Sequence, residues 1–560
     1  MRWKERLRAQ HAQATEAFVL LLLVAWVTRE TSGYVARAET NATTELLPRM
    51  LVWLNVLAIA TVFWSLFARE PVPKSMQVLA RRERDDGHVI GGVLPVLALL
   101  SRFLVQSSGD DSGNGTTLLY AWTCISAGLS TILKIVAFQS SGVIPTLVVD
   151  GFLLPIVFSL VSIESGSRFV LPTLCRCLIG FVFHFGRLAL PRSFTTGEAL
   201  IVAQGIGIAV FDLLLVTFSK LDEASRIILP THTLVVWHVT EQQREHHQLA
   251  LQVGVIGALL ICVALTPLLS SYGTSSPHAV APPLPAAGVV WFLGTVGSAV
   301  VLIVYPWSCL LLDTWNPISW LINFLLEDSA RWLLIVYWLA CLVIFVPSFA
   351  VISRVFKLRQ IVARKLFHFL VVLMFVPAFY ASPSMLSLSY GVALAIFCLV
   401  ECIRAVSLPP FGVIIAEFVQ SFIDHREAGR VVLTHTYLLL GCAVPLWLAQ
   451  GSASTNPLAA NAGVLALGVG DAMGAVIGST FGRRKLFGHK TWEGFSAVLL
   501  SMLISALGLP QSGFTSPQEL GLLVFGLALT SVLEAATAQI DNLVLSLVLF
   551  TVANLITLHH

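Results

Sequence analysis

The stretch GDAMGAVIGSTFGRRKLFGHKTWEG, residues 470–494, holds the densest set of side chains able to do chemistry in the chain. Asp471 is a carboxylate with no basic residue beside it along the chain, so it calls for a cation. Mg2+ fits, because it takes oxygen ligands together with substrate phosphates, and Glu493 or Asp541 can serve as the second carboxylate. Gly470, Gly474, Gly478 and Gly482 recur every four residues and leave one helix face bare. Two readings are open: small-residue packing against another helix, or, for Gly478 and Gly482 at the end of the span, close approach of backbone to a bulky anion. Arg483, Arg484, Lys485 and Lys490 follow, then Thr491 as a helix N-cap with Glu493 in the first turn. N–H groups at a helix N-terminus beside a lysine make a phosphate site. The spacing is not that of a P-loop, since Gly482 and Gly488 are six apart and His489 separates the glycine from Lys490-Thr491. No HRD or DFG element appears either.

More ionisable residues stand in apolar surroundings, where a charge at the centre of a membrane helix costs roughly 2.5–3.5 kcal/mol. Arg364 and His368 are four apart, on one helix face, with Lys365 between them. Glu401 and Arg404 are three apart; Asp424, Arg426 and Glu427 precede Thr434, His435 and Tyr437; Glu534, Gln539, Asp541 and Asn542 close the series. Each has an ordinary reading: Arg364 and Lys365 as interface anchors, Glu401 and Arg404 as an intrahelical pair, His368 as a satisfied core histidine. Together they suit phosphoryl transfer, which needs chiefly charge neutralisation and alignment.

The elements that must position these residues are membrane helices. The 560 residues are 56% hydrophobic and 12% charged, with a mean hydropathy of +0.83, against roughly 25% charged in soluble domains. The composition therefore predicts an all-α polytopic integral membrane protein with 13 to 17 transmembrane helices. Candidate spans lie near 14–28, 50–68, 89–106, 117–138, 142–163, 168–190, 198–219, 249–270, 287–312, 331–353, 366–380, 384–405, 431–449, 460–480, 492–509, 519–536 and 539–558. The first follows a basic start without a small-x-small cleavage site, so it reads as an uncleaved span. Loops at 220–248 and 271–286 read as connectors.

Lys/Arg bias puts the N-terminus in the cytosol. Counting spans forward then places Arg69, Lys74, Arg81, Arg82 and Arg84 in the cytosol and the sequons at Asn41 and Asn114 in the lumen. The same count brings the C-terminal ionisable groups to cytosolic helix ends. A net charge of +3 argues against a nucleic-acid partner. Nine cysteines fall in or against apolar runs, with no CxxC or zinc spacing, and read as unbridged. The chain divides near residue 350 into a polar-poor multi-span region, 1–350, of unassigned role, and a region 351–560 that holds the chemistry.

At GVGDAMGAVIGSTFG, KTWEG, RKLFHFLVV, VLTHTYLLLGCAVPLWL and LEAATAQIDNLVL the sequence resembles the dolichol kinase family of CTP-dependent polyprenol kinases. These segments lie in order across residues 364–545. The resemblance implies transfer of the γ-phosphate of CTP to dolichol at the cytosolic face of the endoplasmic reticulum, giving dolichyl phosphate for glycosylation. It implies a nucleotide and metal site at Asp471, Gly478, Gly482, Lys490, Glu493 and Gly494, with phosphate contacts from Lys490, Arg364 and the turn 482–485 and the alcohol proton going to Asp424, His435 or Glu534. Family sequences often carry a doubled basic residue and a Thr after the EG, where this chain has His489-Lys490 and Phe495. The rival readings are a lipid cytidylyltransferase, which shares the glycine pattern loosely, and a membrane transporter.

Overall fold

The computed structural model describes residues 2–38, 42–67, 81, 86–108, 114–138, 143–160, 170–228, 244–273, 279–420, 423, 429–450, 456–488, 490–510, 516–537, 539 and 541–559. In a bilayer the backbone must satisfy its own N–H and C=O groups, and the described apolar runs do so as helices. Twelve are long and apolar enough to cross a membrane by length and composition; Val149–Phe158, Thr434–Ala449, Val464–Thr480, Trp492–Gly508 and Asn542–Thr557 are shorter apolar helices. The expected 13 to 17 spans fall between the long helices alone and both sets together. Helix starts follow local chemistry: Ser516 and Glu519 form a reciprocal capping box, and Asn316, Ser382 and Asn456 cap helices that open on proline. Among the described residues the protein is all-α, with one isolated bridge between Lys485 and Thr491.

The chain packs as two compact units that interleave along the sequence. The first comprises Met1–Gly207, Phe356–Val372 and Leu440–His560, the second Ile208–Val355 and Leu373–Leu439. Packing therefore crosses the division near residue 350 instead of following it.

In the first unit residues 542–556 of the helix Asp541–Thr557 are buried throughout, Val544, Val548, Phe550, Val552 and Leu555 among them, as in a helix enclosed on all sides. It lies against His88–Ser108, which also packs on Arg2–Arg37, Ala42–Phe67 and Asn114–Leu133. Buried charges in this region are paired. Lys134 Nζ is 2.6 Å from Asp150 Oδ2, and Arg81, expected as a cytosolic loop charge, is buried with its Nη2 2.7 Å from Glu198 Oε1. Gly197 N donates to Asp86 O at 2.8 Å, and a Cβ at Gly197 would overlap the Gly87 carbonyl. Thr195 Oγ1 donates to Gln539 Oε1 beside them. Residues 86–87, 194–198 and 539 thus form one joint, and the N-terminal helices belong to the same packed body as residues 440–560.

In the second unit His246–Ala264 packs on Pro383–Ala405, and Ile261, Leu265, Leu284, Phe292, Cys402 and Val406 close a core around them. Ser329–Val355 turns Val343, Ile344 and Val351 outward, an arrangement suited to lipid rather than water. Two details differ from the sequence reading. Thr196–Ile228 continues past 219 into the expected connector, and Pro317–Glu327 is a helix whose 11 residues are too few to register as a span. The cysteines are free thiols. Asn114 opens the helix Asn114–Leu133, whereas Asn41, Arg69, Lys74, Arg82 and Arg84 lie outside the described residues.

Candidate active site

Asp471 sits at a change of helix type. A π-helical stretch, Val464–Asp471, runs directly into the α-helix Ala472–Thr480, and π turns recur at functional sites. Bare backbone sets where this rod begins. A Cβ at Gly463 would overlap the Gly441 carbonyl, and a Cβ at Gly441 would overlap Asn542 O and come within 2.9 Å of Ser546 Oγ. Three helical elements therefore cross where only glycine fits.

The glycine row belongs to packing along its whole length. Added Cβ atoms at Gly470 and Gly482 would meet Met502 Cγ at 2.9 Å and Thr491 Cγ2 at 2.7 Å; one at Gly474 would overlap Val498. Gly478 faces Thr491 Oγ1 at 3.2 Å and Gly494 Cα at 3.4 Å. The helix Trp492–Gly508 packs along this face, which supports the packing reading, while Gly478 and Gly482 stay partly exposed at its end.

Between the two helices the chain makes a small hairpin. Leu486 N donates to Lys490 O (2.9 Å), Lys490 N to Phe487 O (2.7 Å) and Trp492 N to Arg484 O (2.9 Å). Gly488 takes φ +53° at the tip, a conformation glycine adopts without strain. Thr491 caps the following helix as expected, its Oγ1 accepting from Gly494 N at 3.2 Å, and the Glu493 carboxylate accepts from Arg484 N at 3.3 Å. The N–H groups of Trp492 and Gly494 are thus engaged within the chain. What the hairpin offers is side-chain charge: Arg483, Arg484 and Lys485 are exposed and Lys490 is half-buried. Losing an N-cap costs about 1 kcal/mol. Thr491→Ala should accordingly lower thermal stability in detergent by about that amount, and an unchanged midpoint would show the cap to be idle.

Asp471, with no basic neighbour along the chain, receives one from 106 residues away: Lys365 Nζ donates to its Oδ2. His368, one helical turn on, places Nδ1 3.0 Å from Leu467 O and 3.5 Å from Asp471 Oδ2; a carbonyl partner makes Nδ1 the protonated nitrogen. Asp471 and His368 are both buried. Lys490 Nζ contacts Glu534 Oε1, and its charge also reaches Asp471; the charge of Arg364 reaches His368. Two lysine–carboxylate pairs from four segments, 364–368, 471, 490 and 534, therefore gather in the first unit. Arg359 Nη1 donates to Ser479 O at 2.9 Å, a cation at a helix C-terminus.

A family model described as dolichol kinase matches residues 176–461, just over half of the chain. The chain belongs to the dolichol kinase family. Among curated relatives, a dolichol kinase of Arabidopsis thaliana named EVAN is 32% identical over 372 residues, covering 64% of each chain. A dolichol kinase of Bos taurus is 29% identical over 477 residues, 82% of this chain and 83% of that protein. The dolichol kinase sec59 of Schizosaccharomyces pombe is 34% identical over 251 residues, 41% of this chain and 48% of its own. The chain thus covers just under two thirds of the Arabidopsis protein's length. No solved structure matches.

Other residues singled out in the sequence lie elsewhere or beyond description. Asp424 and the side chain of Asp541 are outside the described residues. His435 is exposed at the start of Thr434–Ala449 and belongs to the second unit. In that unit Arg404 donates to both oxygens of Glu401 at 2.6 and 2.8 Å, and Glu401 Oε1 accepts from Val432 N at 2.6 Å. Their pairing is the ordinary one, with the added effect of tying down the strand of chain before Thr434. Among the described residues no three His, Cys, Asp or Glu side chains gather as a metal cage. Mg2+ needs none, since one or two carboxylates and nucleotide phosphates suffice. Asp471, a buried carboxylate beside two lysines, would suit a metal that shares its ligands with phosphate. Glu493, turned to Arg484 N, is not gathered with it.

Proposed function

We propose that the chain phosphorylates dolichol, moving the γ-phosphate of CTP to the terminal hydroxyl at the cytosolic face of the endoplasmic reticulum membrane. The observation that carries this reading is the gathering of Lys365, His368 and Lys490 about buried Asp471. Family membership supports the acceptor. The resemblance of residues 470–494 supports CTP as donor and Mg2+ as its companion.

In this reading Lys365, Lys490 and Arg364 contact the phosphate oxygens, and Asp471 holds the metal. When bound, Mg2+ supplies neutralisation of charge on the β- and γ-phosphoryl oxygens. The chain does the positioning. Arg483, Arg484 and Lys485, exposed on the hairpin, draw the anionic nucleotide from water. The Leu467 carbonyl holds the His368 ring against Asp471. Apolar helix faces keep the prenol in the bilayer with its hydroxyl toward the charged cluster. Because the carboxylates and the backbones that carry the lysines belong to packed helices and a closed hairpin, the charged groups are gathered before transfer begins.

The test is an assay of membranes containing the chain with labelled CTP and a panel of long and short prenols. Label from the γ-position appears in dolichyl phosphate on this reading. Label from the α-position in lipid would identify cytidylyl transfer instead, and label in neither would remove both.

A further inference from the structure

We propose that Glu534 takes the hydroxyl proton of the alcohol and that Lys490 is its latch, covering the carboxylate until phosphate draws the lysine away. This rests on the phosphotransfer reading above and names the base which that reading leaves unassigned. The Glu534 side chain is 4% exposed and contacts Lys490 Nζ, while the Lys490 side chain is 37% exposed. The lysine is carried on the hairpin that turns at Gly488, so incoming phosphate can reach the ammonium without first uncovering the carboxylate. Its charge also acts on Asp471, which places it between the carboxylate assigned to the metal and the one assigned to the proton.

Glu534 lies in the last turn of Pro517–Ala536, where the helix carbonyls disfavour negative charge. Lysine opposes that disfavour by contact. A lysine ammonium is a compact charge on a flexible stem, and the oxygens of a triphosphate compete for it effectively. Once Lys490 turns to phosphate, a buried carboxylate has lost a counter-charge and relieves the cost by accepting a proton. In the step itself the alcohol oxygen forms a bond to the γ-phosphorus. The bond from that phosphorus to the bridging oxygen breaks, its electron pair leaves with the nucleoside diphosphate, and the hydroxyl proton passes to Glu534. Binding of the donor thereby switches on the base.

The experiment uses the full-length protein in lipid nanodiscs, with γ-labelled CTP and dolichol for turnover and labelled CTP alone for binding. Absence of transfer by the unmodified protein would sink the phosphotransfer reading, and this inference with it. Given transfer, Glu534→Gln should lower kcat by about 10²–10⁴-fold, the range general bases contribute, with CTP binding unchanged or tighter because Lys490 is released. Glu534→Asp, which keeps a carboxylate, should recover at least about tenfold over the glutamine variant on the same scale. The inference is overturned if the glutamine variant keeps its kcat, or if CTP binding falls in parallel with kcat, as it would were Glu534 only a prop for Lys490. Should the glutamine variant fail to insert, Glu534→Gln combined with Lys490→Gln, which removes both charges of the pair, decides: a kcat equal to that of Lys490→Gln alone excludes the role.

Discussion

On the proposed reading, Asp471→Ala should lower CTP-dependent phosphorylation of polyprenols in membranes by about 10³-fold, the scale on which single transition-state charge stabilisers act. The side chain is buried, meets Lys365 and His368, and lies within reach of the charge on Lys490. Alanine also strands Lys365 without its counter-charge, and breaking a buried pair costs about 3–5 kcal/mol. The single variant therefore mixes two effects, which a neutral pair separates. In Asp471→Asn combined with Lys365→Gln both charges go together, so insertion and thermal stability return toward those of the unmodified protein while activity stays lost. If that double variant recovered phosphorylation, the pair would be structural and the metal assignment to Asp471 wrong.

The second large effect falls on folding. Gly441→Val and Gly463→Val should each leave little folded protein, because the added carbons run into backbone: the Gly441 carbonyl for one, Asn542 O for the other. A clash with a flexible side chain can relax, but a carbonyl inside crossed helices moves only with its helix. Overpacking of a well-filled core costs about 1–3 kcal/mol, and backbone overlap belongs at or above the top of that range. Gly254→Ala is the matched control, since nothing lies within 4 Å of its added carbon. Detergent-solubilised yield and monodispersity report the difference. Well-folded Gly463→Val would mean that the rod carrying Asp471 is not fixed by this crossing.

The membrane helices were legible because apolar runs of adequate length leave the backbone no alternative. The Thr491 cap and the Glu401–Arg404 pair were legible too, since each depends on spacing within one or two turns. The glycine row was legible as a pattern but not in its packing partner: a period of four serves helix packing and ligand approach equally, and nothing local names Trp492–Gly508 as the helix against it. The partner of Asp471 was hidden. Lys365 is 106 residues distant, and nothing local in either segment records their meeting. Lys490 with Glu534, 44 residues apart, was out of reach for the same reason, as was the joint of residues 86–87 and 194–198 with Gln539. Periodicity reports which face of a helix is buried, not which helix buries it.

The interleaving of the two units dictates an order of biogenesis. The body that holds Asp471 needs both residues up to Gly207 and residues from Leu440 onward, so its early helices must wait while a ribosome makes the roughly 230 residues between. At ~5–20 residues per second that interval is about ten to fifty seconds. Throughout it, the face of His88–Ser108 that will receive Asp541–Thr557 lacks its mate. Helices at the translocon exit are consequently held by lipid or by membrane chaperones, and nascent chains halted before residue 541 should be the preferred clients of membrane quality control.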